Sequence, residues 1–139
     1  MRLRFALTAV LLLFIPCLPA SAQPQPQYQW GRPRPPQIGA CFYRDAYFRG
    51  DYFCLKLGDS WAGMPSGFND QISSIRLFSG VQVRIFNDTN FRGVNIRIPR
   101  SANDLARLPV PSNPNKNWND RISSISVYRA NDDWDRGHP

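Results

Sequence analysis

Asn69-Asp70-Gln71-Ile72-Ser73-Ser74 returns later in the chain as Asn119-Asp120-Arg121-Ile122-Ser123-Ser124. Each copy follows an aromatic, Phe68 or Trp118, and runs into an apolar stretch, Ile75-Arg76-Leu77-Phe78 or Ile125-Ser126-Val127-Tyr128. A second string precedes each of them. Tyr43-Arg44-Asp45-Ala46-Tyr47-Phe48-Arg49-Gly50 matches Phe86-Asn87-Asp88-Thr89-Asn90-Phe91-Arg92-Gly93. Two different strings recurring in the same order make an internal repeat, so the two halves are expected to build the same unit.

Working outward, Ile38 to Ala130 shows no sustained helical period. Short aromatic and β-branched runs alternate with Gly, Asn, Asp and Pro: Cys41 to Tyr43, Tyr52 to Leu55, Ile72 to Phe78, Val81 to Phe86, Val94 to Ile98 and Ile122 to Tyr128. That pattern is all-β with hairpin turns. Two repeats at this spacing predict a small sandwich of two Greek keys, residues 38–80 and 81–130, the second starting at Val81. Helix is expected at most as a turn around Ala102 to Leu108. The second repeat is longer, and its excess falls in Leu108 to Lys116, read as a proline-bearing loop where insertions cost little.

The flanks belong to other classes. Residues 1–22 carry Arg2 and Arg4, an apolar run from Phe5 to Ile15 and Ala20-Ser21-Ala22, the pattern of a secretory signal peptide. The apolar run is too short to span a membrane. Residues 23–37 are Pro, Gln and Arg rich and read as an extended linker; residues 131–139 read as a polar tail. Removing the leader takes the formal charge from +7 to +5, with the remaining arginines scattered singly. Such scatter describes a basic soluble surface and gives no sign of a specific nucleic-acid partner. A secreted or periplasmic location, no membrane insertion and a monomer are expected. In that oxidising setting Cys41 and Cys54, one on each arm of a hairpin, are expected to form a disulfide; two buried free thiols are the alternative.

The first string is structural: two aromatics around a tight loop, closed by Gly50 or Gly93 where a positive φ is needed. The second carries chemistry. Asp70 and Asp120 are hard anionic oxygens, Asn69 and Asn119 neutral ones, and Ser73 and Ser123 add hydroxyls. Oxygen donors without His or Cys favour calcium over zinc or copper. The same residues also shape turns through side-chain to backbone bonds, and residue types alone leave the two readings level.

With both motifs doubled, the region from Ile38 to about Arg129 resembles the βγ-crystallin family, and its microbial calcium-binding members in particular. Their motif, Asn/Asp-Asn/Asp-x-x-Ser/Thr-Ser, is matched in both copies. The resemblance implies calcium held by the side chains of Asp70 and Asp120, the carbonyls of Gln71 and Arg121, and the hydroxyls of Ser73 and Ser123. Each site would mix ligands from both keys and add a hairpin carbonyl, from Arg44 or Asn87. Asn69 and Asn119 would brace the loops; Ser74 and Ser124 would hold the hairpins. The guanidinium of Arg44 or Arg121 would repel a dication and weaken its site.

The fold also resembles small exported bacterial inhibitors of metallopeptidases, which makes an extracellular peptidase the alternative partner, with Leu108 to Lys116 a candidate loop. An enzyme is not expected. The domain has no His for general-base work and no nucleophile–base pairing.

Overall fold

The structure, a computed structural model, describes residues 29–129 and 131–132. The expected signal peptide, the first part of the linker and most of the tail lie outside these residues. Four strands form the first repeat: β1 (Gly39–Asp45), β2 (Arg49–Lys56), β3 (Ser60–Trp61) and β4 (Ser74–Phe78). The second contains β5 (Val81–Phe86), β6 (Asn95–Ile98), a short hairpin of β7 (Pro109–Val110) and β8 (Asn113–Asn117), and β9 (Ser124–Arg129).

The sheets run β2-β1-β4 and β3-β9-β5-β6, all pairs antiparallel. Each repeat lends a segment to the other. β3 pairs with β9 of the second repeat, and Ala102 of the second bridges Ile75 on β4. This exchange makes two Greek keys one body. Neither key can keep its ladder hydrogen bonds without the other, and unpaired buried backbone is costly.

Alternation along the strands builds the core. In β5, Val81, Val83 and Ile85 are buried while Gln82 and Arg84 on the opposite face are half-buried. Phe42, Leu55, Ile75, Trp118, Ile122 and Ile125 complete the filling, each fully buried. Cys41 and Cys54 face each other across β1 and β2 and are joined as a disulfide.

Two regions differ from the sequence reading. Leu108 to Lys116 was expected as a loop, yet Pro109–Val110 pairs with Asn113–Asn117. Prolines are admitted because each strand of this two-stranded ribbon has a free edge. The residues before Ile38 were expected as a free linker, yet Trp30 stacks on Phe68 at 4.7 Å and meets Phe53 edge-on at 5.4 Å. Its indole N–H donates to the Gly67 carbonyl (2.6 Å), and Gly31 bridges Tyr52 on the edge of β2. One tryptophan in a polar segment suffices to dock it, because an aromatic ring buries a large apolar area. The helical turn appears as a single 3-10 turn, Leu105–Arg107, capped by the Asp104 carboxylate on the Ala106 N–H (3.0 Å).

Candidate metal centre

The two hairpins fold alike. After β1 the chain turns through Tyr47 and Phe48 at φ 62 and 59, and after β5 through Asn90 and Phe91 at φ 58 and 57. Gly50 and Gly93 close these turns at φ 74 and 75. A Cβ on Gly50 would lie 2.6 Å from Asp45 Oδ2, and one on Gly93 would meet the side chains of Asn87 and Asp88, which would have to move aside; the positive φ is what favours glycine at both. Ser74 Oγ donates to the Asp45 carbonyl (2.7 Å) and accepts from the Phe48 N–H (3.0 Å). Ser124 does the same with Asp88 (2.6 Å) and Phe91 (3.2 Å). Both serines are fully buried, and their expected role of holding the hairpins matches these bonds.

The Asn-Asp loops cross one another. The Asp70 N–H donates to Ile122 O (3.5 Å), and the Asp120 N–H donates to Ile72 O (3.2 Å). Ser73 and Ser123 bond through their N–H groups to Tyr43 O and Phe86 O, each at 2.9 Å. Asp70 and Asp120 sit in the left-handed region, φ 53 and 52, and both are exposed. Asn69 Nδ2 donates to Asp70 (2.8 Å) and Asn119 Nδ2 to Asp120 (2.7 Å), so each asparagine braces its aspartate.

The crossing brings one donor set together. An open cleft of about 410 Å³ is lined by Arg44, Asp45, Asp70, Gln71, Ser73 and Asp120. Arg44 is a bulged residue, left out of both ladders that β1 makes, which frees its backbone. Its guanidinium lies over the Trp30 ring, 5.5 Å from the centroid. The charge expected to oppose a cation is thus engaged by the docked N-terminal segment. Burial pushes the Asp120 carboxyl above the ordinary value of 3.8, and the charge of Asp70 adds to the rise, while the Asn119 hydrogen bond opposes it. Two carboxylates that repel each other across a shared cleft are a situation a dication relieves.

The matching residues of the second key open differently. Asn87 and Arg121 line a separate cleft of about 290 Å³ together with Ser112, Asn113, Lys116 and Trp118. Asp70 does not line it, and Ser123 is buried. Lys116 and Arg121 put two cations there. Among the described residues no group of three or more His, Cys, Asp or Glu side chains is placed to hold a metal. The first donor set would therefore depend on carbonyls and a hydroxyl beside carboxylate, a mixture suited to calcium, whereas no carboxylate lines the second cleft.

Comparison with solved structures decides the family of folds. A βγ-crystallin domain from Flavobacterium johnsoniae aligns at 26% identity and TM-score 0.54, covering 67% of this chain and 97% of that one. The fold is that of a βγ-crystallin domain. Another, from work on the evolution of the eye-lens βγ-crystallin fold, aligns at 29% identity and TM-score 0.52, covering 71% and 91%. A βγ-crystallin domain of the Abundant Perithecial Protein from Neurospora crassa, in its Ca2+-bound form, aligns at 17% identity and TM-score 0.55, covering 71% and 97%. Residues 33–98 match the family described as peptidase inhibitor family I36. No curated protein matches the chain.

Within this fold, reading by residue type missed two participants. Asp45 lines the first cleft, and its presence in both hairpins, as Asp45 and Asp88, was the available signal. Lys116 lines the second cleft from the inserted β8, which has no counterpart in the first repeat and so left no signal.

Proposed function

We propose that this chain is an exported, non-enzymatic calcium-binding βγ-crystallin module with a structural or protective role. The observation that carries the reading is the cleft where Arg44, Gln71 and Ser73 of the first key meet Asp120 of the second. There the carbonyls of Arg44 and Gln71, the Ser73 hydroxyl and the Asp120 carboxylate would hold calcium. Asn87, Arg121, Ser123 and Asp70 would form the second, weaker set, which needs Asp70 to turn out of the first cleft that it lines in this structure. Calcium would supply a hard positive charge tying the crossed loops together. The calcium-bound Neurospora domain shows that this fold accommodates the ion in that protein. Export is supported by the Cys41–Cys54 disulfide, since such bonds persist in oxidising compartments. Among the described residues no helix is long and apolar enough to cross a membrane.

Calorimetry of the mature protein with calcium tests this. Two unequal sites are expected, and saturating calcium should raise the melting temperature by mass action. Asp120→Ala should abolish the tighter site and Asp70→Ala the weaker. No heat and an unmoved melting curve would reduce the motif to a turn. A second reading, peptidase inhibition, is favoured by the match of residues 33–98 to the inhibitor family. Titrating a secreted metallopeptidase with the purified protein tests it, with loss of peptide hydrolysis at stoichiometric ratio as the expected sign.

A further inference from the structure

The repeat allows the two keys to be laid over one another residue by residue. Phe42 pairs with Phe53 in β1–β2 as Ile85 pairs with Ile96 in β5–β6, and Tyr43 with Tyr52 as Phe86 with Asn95. The edge of β2 is occupied. Gly31 exchanges both backbone hydrogen bonds with Tyr52 (3.3 and 2.7 Å), Trp30 packs on Phe53, and Arg32 reaches Asp51 at 3.8 Å. The N-terminal segment thus adds one residue of strand, one aromatic anchor and one ion pair to the first key.

Among the described residues, nothing of the kind pairs with the equivalent edge of the second key. β6 ends its sheet, and beside it lies a cleft of about 330 Å³. Ile96, the counterpart of Phe53, lines this cleft with Ile98 and Leu108, and Arg97, Arg100 and Arg107 surround it. Its one acidic residue, Asp104, is already engaged by Arg107 (3.4 Å) and by the Ala106 N–H. We propose that this edge takes an extended acidic peptide segment of a partner protein, which adds to β6 at Asn95 and seats one aromatic or large aliphatic side chain on Ile96. Strand addition supplies backbone hydrogen bonds, and the apolar seat and arginines supply selectivity. Charge decides between occupants. The segment docked on the first key is itself basic, with Arg32 and Arg34, and its ion-pair partner Asp51 is replaced in the second key by Val94. A second copy of this chain would bring arginine to arginine. An acidic segment meets complementary charge.

The test uses the intact disulfide-bonded protein and a synthetic acetylated peptide, Glu-Glu-Trp-Gly-Glu-Glu, with a lysine-for-glutamate analogue as control. Saturable binding that weakens with salt is expected, with amide shifts centred on Asn95 to Ile98. Arg97→Glu with Arg100→Glu should weaken binding about tenfold or more, because like charges are then juxtaposed. If that pair disturbs folding, Arg100→Glu alone, which lies outside every strand, should still weaken it about threefold. Equal binding of the lysine peptide, or shifts confined to the Trp30 side, would overturn the proposal. So would equal competition by a single-stranded oligonucleotide, which would make the patch a general polyanion surface.

Discussion

At the register position where the first key joins Cys41 to Cys54, the second sets Arg84 opposite Arg97. The first key seals its edge with Trp30 and fills its interior with Phe42, Phe53, Trp61 and Phe68, rings 4.7 to 6.1 Å apart where they meet. The second places Ile85 and Ile96 at the two paired positions, and Ile96 stays partly open to water. Arg84 is held by the Asn95 Oδ1 (3.0 Å), and the second key lacks at this position the covalent link that the first has. The backbone plan is the same. What diverged is that the first key carries the aromatic cluster and the covered edge, while the second packs with aliphatic side chains and Trp118 and sets arginines along its edge.

The widest gap should appear on truncating the paired positions. Phe53→Ala removes a buried ring contacting four others and should cost about 3–5 kcal/mol. Ile96→Ala, half-exposed in its cleft, should cost about 1 kcal/mol. Denaturant midpoints measure both, and equal costs would break the contrast between a sealed and an open key. Next comes the disulfide. Replacing Cys41 and Cys54 together by alanine should cost about 3 kcal/mol by loop entropy. Reduction of the wild type should give a similar drop, because the bond is local to the first hairpin and no second-key contact depends on it.

Repetition is what made most of this readable from residues. The doubled glycine-closed hairpins and doubled Asn-Asp loops place β1, β2, β5, β6 and the strand starts after Ser74 and Ser124, since each string punctuates a strand. β3 and Ala102 were unreadable for a physical reason. A two-residue strand and a single bridge leave no alternation to detect, and their pairing partners lie in the other key. The crossed arrangement of the candidate site follows from that exchange, so the residue types were visible while their grouping into Arg44, Gln71, Ser73 and Asp120 was not. Trp30 was hidden by its neighbours. Composition describes an average, and a segment of prolines and glutamines averages to a linker even when one side chain docks it.

A smaller effect should separate the two aspartates in calcium-free protein. The folded Asp120 carboxyl titrates above its ordinary value, because of burial and then Asp70. A raised acid pKa contributes stability that is present below the ordinary value and lost as pH rises through the folded one. Asp120→Asn removes that penalty, so at neutral pH without calcium it should raise stability by a few tenths of a kcal/mol, discounted for the exposure of the group. The wild type should gain relative to the variant as pH falls through the acid range. Thermal melts across that range, in chelator, measure the slope. A variant less stable than wild type at neutral pH would show that the carboxylate braces the loop rather than straining it.

The smallest effect concerns Trp118, the counterpart of Phe68. Its ring is fully buried, and its indole N–H finds no hydrogen-bond partner among the described residues. Phe68 fills the same role without a polar atom and receives Trp30 on its face. Trp118→Phe would lose apolar area, worth about 1 kcal/mol at the usual transfer coefficient. It would also remove a buried unsatisfied donor, whose desolvation costs about 1–3 kcal/mol. The two should nearly cancel, leaving the unfolding midpoint close to that of the wild type. A loss above about 2 kcal/mol would mean that the indole N–H is satisfied in solution, since the full penalty of tryptophan truncation would then have no offset. A clear gain would mark Trp118 as a place where the second key holds its larger ring at the expense of stability, beside the polar cleft that Arg121 and Lys116 line.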